Sequence, residues 1–347
     1  MRLGGIFPVL LSLGAGVLVL AGLHVAAPIL APVTFALFTI ALVLPLQQVL
    51  ERRLPRALAM LLTILATVAV VGLLGSMVVW GLTRVGHWLV QNSSNILALY
   101  AATTSMLDAR GLDSAAMLAQ QFDVSLLLRT ARSLAGYLQG FVSFIALMVV
   151  FIVLGLLEVD LTVRKLAGIG KAGEGKAVLQ VARNLAWKFQ RYMLVRTAMS
   201  VATGICVFLF AWLFGLELAL EWGVLAFVLN YIPFIGPLIA TALPTLLALV
   251  QFGSVMTALS VLVGLNVIQN IIGSYVEPRT AGAALAVSPF IVLLSVFFWS
   301  FLWGVAGAFI GVPIVIALLT GFDAHPRTRW VAVLLSGSVR PEASHEA

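Results

Sequence analysis

Trp222-Gly223-Val224-Leu225-Ala226-Phe227-Val228-Leu229-Asn230-Tyr231-Ile232-Pro233-Phe234-Ile235-Gly236-Pro237 opens a run that continues to Val276 without one Asp, Glu, Lys or Arg. A bilayer core is about 30 Å thick, and a helix rising ~1.5 Å per residue crosses it in roughly 20 residues. The run is more than twice that long, so it turns back at least once in or beside the membrane. The turn is written in Asn230 to Pro237, where two prolines and a glycine break any helix. In lipid a broken helix survives only where protein or a water-lined cavity covers it. Such a break at membrane depth points to a binding site.

Working outward, composition agrees. Of 347 residues, 62% are hydrophobic and 10% charged, and mean hydropathy is +1.13. Soluble domains carry roughly 25% charged residues. The expected fold class is all-α: a polytopic helical membrane protein of about eight membrane segments, including two broken or re-entrant helical hairpins. The net charge of +7 sits in loops and juxtamembrane segments. It reads as positive-inside orientation rather than a nucleic-acid surface. The lone Cys206 lies in an apolar run, permits no internal disulfide and is expected to be a buried, inert thiol.

Residues 1–82 hold three expected transmembrane helices. The first run, Ile6 to Leu23, is followed by Ala26-Ala27, which also suits a signal-peptide cleavage site. A second run begins at Pro28, so close that we read a hairpin of two crossings. His24 sits at their junction. The basic loop Glu51-Arg52-Arg53-Leu54-Pro55-Arg56 is expected in the cytoplasm. Trp80 and Trp88 are expected near the outer interface. Residues 83–137 form an extracytoplasmic segment, in which Ala115, Leu118, Phe122 and Leu126 recur at helical spacing. Residues 138–157 return through the membrane.

Residues 158–196 carry the densest positive charge and read as a cytoplasmic helix-turn-helix arm, turning at Gly168 to Gly173. Val181, Leu185, Phe189 and Tyr192 give its second helix an apolar face, opposite Arg183, Asn184, Lys188 and Arg191. Gly170-Lys171-Ala172-Gly173-Glu174-Gly175-Lys176-Ala177 nearly spells a phosphate-binding loop, but Ala177 replaces the hydroxyl that holds magnesium and no strand precedes it. Residues 197–322 form the transmembrane core, with a second long uncharged run from Thr280 to Phe322 interrupted at Gly304, Gly307, Gly311 and Pro313. Ser288-Pro289 suits an N-cap with proline at N1. Gly307 and Gly311 read as close helix packing. Residues 323–347 are a cytoplasmic, partly disordered tail.

There is no HExxH, no CxxC and no acidic run, so no metal, cofactor or enzymatic activity is expected. The informative side chains are the polar ones inside apolar segments: Asn230, Thr241, Asn266, Gln269, Asn270 and Ser274. Asn266 and Asn270, four apart, share a helix face with Gln269 beside it. They suit interhelical hydrogen bonds or, beside a broken helix, a polar path for a solute.

Asn230 to Pro237, then Pro244, Asn270, Glu277-Pro278-Arg279, Gly282, Ser288-Pro289, and Gly304, Gly307, Gly311 and Pro313 resemble, in order and spacing, the AI-2E family of transporters (the autoinducer-2 exporter family). The likeness is strongest over 195–322. Arg279 stands where the family more often has lysine, and Ser288 where it often has histidine. The resemblance implies a secondary exporter or permease of the bacterial inner membrane, homo-oligomeric, in a family associated with autoinducer-2 export but broad enough that the solute does not follow from membership. It also admits sodium/proton antiport. No carboxylate lies well inside an expected crossing, which favours a polar solute over a cation. A non-transporting scaffold recruiting partners through the arm is the reading from another class. The candidate substrate-binding set is Asn230, Tyr231, Pro233, Gly236, Pro237, Asn266, Gln269, Asn270, Arg279 and Ser288.

Three geometric expectations attach to that set. Pro237 stands at N1 of a half-helix, the free N–H groups of that helix face a cavity, and Gly236 is needed if the turn requires positive φ there. Both termini, the 51–56 loop and the arm are expected inside. Trp222 to Val276 makes either two full crossings or, as we prefer, a re-entrant hairpin plus one crossing. The run at 280–322 is then a second hairpin from the opposite side.

Overall fold

The computed structural model describes residues 6–108, 124–169, 174–281 and 287–337. They form α1 (Ile6–Val25), α2 (Ala27–Glu51), α3 (Arg56–Gln91), α4 (Ser93–Asp108), α5 (Val124–Ala167), α6 (Glu174–Leu213), α7 (Ala219–Leu229), α8 (Ile235–Phe252) and α9 (Val255–Asn270). A π-helical turn, Ile271–Val276, leads into α10 (Glu277–Ala281); α11 (Pro289–Ala324) and α12 (Arg329–Leu335) follow. Seven of the described helices hold a stretch long and apolar enough to cross a bilayer. The expected all-α, polytopic membrane architecture is therefore present. The periodicity expected at 115–122, the arm's turn at 170–173, Gly282 and the last ten residues lie outside the described residues.

The chain divides into two compact units, each assembled from separate segments. The first comprises Met1–Val68, Phe144–Met193 and Ala281–Ala347. Here α2 packs through Phe35 against Phe144 of α5 and through Phe38 against Phe189 of α6. Gly155 on α5 lets Ile40 approach so closely that a Cβ would lie 2.3 Å from its terminal carbon. Lipid tails are as apolar as leucine, so small residues and hydrogen bonds, rather than the hydrophobic effect, hold such helices together.

Helix α11 is not one rod. Trp303 and Gly304 leave helical geometry, Gly304 with φ 60° and ψ −142°, and the chain reverses there. The two halves, 289–302 and 305–324, pack back to back. A Cβ on Gly307 would fall 1.8 Å from the Trp299 carbonyl oxygen, and one on Gly311 3.0 Å from that of Ser295. The expected GxxxG packing thus joins the halves of one hairpin. The end of α1 covers its tip: His24 Nδ1 donates to the Leu302 carbonyl at 2.8 Å, in the tautomer assigned, and Trp303 Nε1 donates to the Leu23 carbonyl at 3.0 Å. That contact supplies the hydrogen bonds a broken helix needs in lipid. Ser288 occupies the N-cap of α11 with Pro289 following, but its side chain makes no capping bond. Within the described part of the tail, α12 folds back onto α11.

The second unit comprises Ala69–Ser143 and Leu194–Thr280. Here α8 lies between α7 and α9, over a core that includes Trp88, Val207, Leu225, Leu247, Val261 and Leu265. Gly204 of α6 meets Gly223 of α7, each with a would-be Cβ 2.9 Å from the other's carbonyl oxygen. Trp88 is buried, and its indole N–H donates to the Glu217 carboxylate. Glu221 is buried as well and takes the Arg84 Nε–H at 2.9 Å. Cys206 is exposed rather than buried, and an apolar thiol suits lipid as well as protein.

Candidate functional site

The break in the second unit is a tight helical hairpin. Helix α7 is 11 residues long, about 16 Å, and too short to cross a bilayer alone. It ends at Leu229; α8 begins at Ile235 and runs back along it. The turn between them uses its own backbone donors. Tyr231 N–H bonds to Val228 O, Ile232 N–H to Leu229 O, Ile235 N–H to Pro233 O and Gly236 N–H to Ile232 O, all within 2.7–3.2 Å.

This geometry corrects three expectations. Helix α8 starts at Ile235, so Pro237 is at N3 rather than N1, still a position whose missing N–H leaves nothing unpaired. The N–H groups before it are spent inside the turn, not aimed at a solute. Positive φ falls on Phe234 (63°), not on Gly236. Glycine is required at 236 for a different reason: a Cβ there would lie 1.9 Å from the Leu229 carbonyl oxygen.

Side chains rather than backbone make the turn polar. Asn230, buried, donates from Nδ2 to the Ser200 hydroxyl at 3.2 Å. The Tyr231 hydroxyl donates to Thr197 Oγ1 at 2.9 Å, while its ring meets Phe227 edge-on. Both partners lie on α6, beside Arg196. The Arg196 side chain is 7% exposed and its Nη1 reaches Glu277 Oε1 at 2.6 Å, yet its Nε–H has no partner. One turn beyond Ser200, the buried Thr203 hydroxyl is also unpartnered. Arg196, Ser200 and Thr203 sit at i, i+4 and i+7, one polar stripe of α6 facing inward. Glu277 follows the π-helical turn, and such turns frequently mark functional sites.

The other sequence-derived residues are placed differently. Gln269 holds a buried Nε2 with no partner. Asn266 and Asn270 share a face as expected, but it is exposed, and their amides donate to Leu262 O and Asn266 O of their own helix. Arg279 is exposed, over the Tyr275 ring at 5.7 Å. Ser288 belongs to the other unit. Arg196, Thr197, Ser200 and Thr203 are not among the sequence-derived site residues, and Glu277 enters the sequence reading only within the Glu277-Pro278-Arg279 motif. The signal available was the i, i+4, i+7 polar spacing at the start of a crossing.

Broken helices with buried polar side chains are a common place for solute sites in membrane transporters. The profile described as AI-2E family transporter matches residues 13–327. The chain belongs to the AI-2E transporter family. The AI-2 transport protein TqsA of Escherichia coli (strain K12) is 32% identical over 335 residues, 94% of this chain and 95% of that protein. A putative transport protein of Haemophilus influenzae (strain ATCC 51907 / DSM 11121 / KW20 / Rd) is 27% identical over 340 residues, 94% of this chain and 95% of that one. The putative transport protein YhhT of Escherichia coli (strain K12) is 28% identical over 347 residues, with 96% and 95% covered. This AI-2E family member is therefore a membrane transporter, multi-pass in the bacterial inner membrane. Its polar break is formed within one compact unit, by α6, α7 and the α7–α8 turn.

Proposed function

We propose that this transporter exports a small polar solute bearing hydroxyl and carbonyl oxygens, and that the solute passes the break at 230–234. The observation that carries this reading is the buried polar lining of that break, with the Arg196 Nε–H and the Thr203 hydroxyl left without partners. Unsatisfied groups in a bilayer protein are costly and mark solute pathways. Asn230 both donates and accepts, Tyr231 supplies a hydroxyl, and Arg196 supplies donors. Pro233, Gly236 and Pro237 shape the turn; Gln269 offers one more amide. Asn266 and Asn270 spend their amides on their own helix, Arg279 is exposed over the Tyr275 ring, and Ser288 belongs to the other unit. Autoinducer-2 is the first solute to try, because the Escherichia coli relative bears AI-2 in its name. A cation site is disfavoured, since Glu277, the carboxylate that meets the polar stripe of α6, is already taken by Arg196.

The proposal includes a homo-oligomer, and an orientation with both termini, the 51–56 loop and the 158–196 arm in the cytoplasm; the Lys/Arg asymmetry supports that orientation. Efflux of autoinducer-2 and of a panel of polyols from loaded proteoliposomes tests the site. Asn230→Leu is expected to lower efflux about tenfold, the loss of one buried polar contact. Asn270→Leu, whose amide is exposed, is expected to stay near the wild-type rate. Wild-type efflux by Asn230→Leu at every concentration would remove the break from the path.

A further inference from the structure

Away from the break, the first unit holds a cavity of about 440 Å³ between α6 and the end of α11. Asn184, Trp187 and Lys188 line one wall; Thr320 and Asp323 line the other. Its depth in the bilayer follows from where charge stops. The second half of α11 carries none until Asp323, after which Arg327 and Arg329 follow. Helix α6 carries Arg183, Lys188, Arg191 and Arg196, then nothing charged through Leu213. The cavity therefore opens at headgroup level: α11 passes from uncharged to charged beside it, and α6 makes the same passage about two turns further along, at Arg196. Two indoles agree: Trp187 and Trp330, 58% and 66% exposed, are surface tryptophans of the kind that gather at that level.

The polar groups in this cavity are mostly donors. Lys188 Nζ has the Thr320 hydroxyl at 3.4 Å, a long contact that leaves most of a three-donor ammonium to the cavity. The Thr320 hydroxyl itself donates to Ile316 O at 2.7 Å, so it serves Lys188 as an acceptor. Asn184 accepts the Gln180 amide on its carbonyl oxygen at 3.1 Å, which leaves its amino group to donate. The one carboxylate, Asp323, faces Arg329 at 3.6 Å and so brings its own counter-charge. Trp187 adds a flat apolar wall beside Lys188.

We propose that this cavity binds a phosphate group at Lys188 and Asn184, and that the group belongs to the headgroup of an anionic phospholipid. A free phosphate would leave most of the volume to water, whereas a glycerophosphate headgroup fills it and sends its chains along the apolar sides of α6 and α11. Basic pockets between membrane helices at headgroup level take lipid in this way.

The test uses the full chain, purified and stripped of lipid in a neutral detergent. Phosphatidylglycerol or phosphatidylcholine is titrated in mixed micelles, with bound lipid counted by native mass spectrometry and stability followed by melting. Phosphatidylglycerol is expected to be retained and to raise the melting temperature; phosphatidylcholine is not. Lys188→Gln is expected to weaken that retention about fivefold, and Lys188→Arg to preserve it. Lys176→Gln, an exposed charge elsewhere on the arm, is expected to change nothing. Equal retention by Lys188→Gln and wild type, or an equal loss in Lys176→Gln, would overturn the site. Stabilisation by millimolar inorganic phosphate, matched by no lipid, would keep the phosphate chemistry and overturn the lipid source.

Discussion

Arg196 and Glu277 form an ion pair whose members are 7% and 26% exposed, so both ions are partly stripped of solvent. Removing one partner of a fully buried pair costs about 3–5 kcal/mol, whereas replacing both by apolar groups is often neutral. Glu277 keeps some solvent, so the cost here is smaller. Arg196→Met is expected to lower both the melting temperature in detergent and solute efflux. The double variant Arg196→Met with Glu277→Leu is expected to recover the melting temperature and remain inactive. Recovery of efflux in the double variant would reduce the pair to packing. Asn230 and Tyr231 were legible in the sequence because polar side chains stand out in an uncharged run. Arg196 and Glu277 were not, because each lies at the edge of such a run, where charge is ordinary. Only their meeting across 81 positions shows that they face protein.

The two hairpins share one device at the scale of the element. Each reverses where glycine lets one backbone touch another, at Gly236 against Leu229 and at Gly307 against Trp299. A side chain in the way can rotate, but a main-chain carbonyl 1.8–1.9 Å from a new Cβ cannot step aside without opening the turn. Gly236→Ala and Gly307→Ala are therefore expected to abolish the monodisperse size-exclusion peak. Gly14→Ala, on α1 with nothing within 4 Å of the new carbon, is expected to leave it unchanged. A sharp, wild-type peak from Gly236→Ala would refute this account of the turn. Proline and glycine announced both breaks in the sequence, and the hairpin reading for Asn230 to Pro237 came from them. They did not announce which residue bends the chain. Phe234 takes φ 63°, a conformation its side chain disfavours, and no pattern marks it.

For the whole molecule, hydropathy was enough to give an all-helical membrane protein, since a bilayer admits few other solutions. The division into two units was not legible. Each is stitched from stretches far apart in the chain, and local patterns carry no record of such packing. Orientation is tested by single-cysteine labelling in a Cys206→Ser background, which is needed because Cys206 is exposed. A cysteine at Lys176 is expected to react only after the inner membrane is opened, and one at residue 95 to react in intact cells. Labelling of position 176 from outside would invert the scheme. The length of α7 also bears on how the protein is made. About 16 Å of apolar helix ending in Asn230 is a poor guest for lipid on its own. Helix α7 is therefore expected to enter the bilayer only as a hairpin with Ile235–Phe252. Assembly of this half of the transporter is thus a paired event: the carbonyl of Leu229 closes on Gly236 only when both helices are in place.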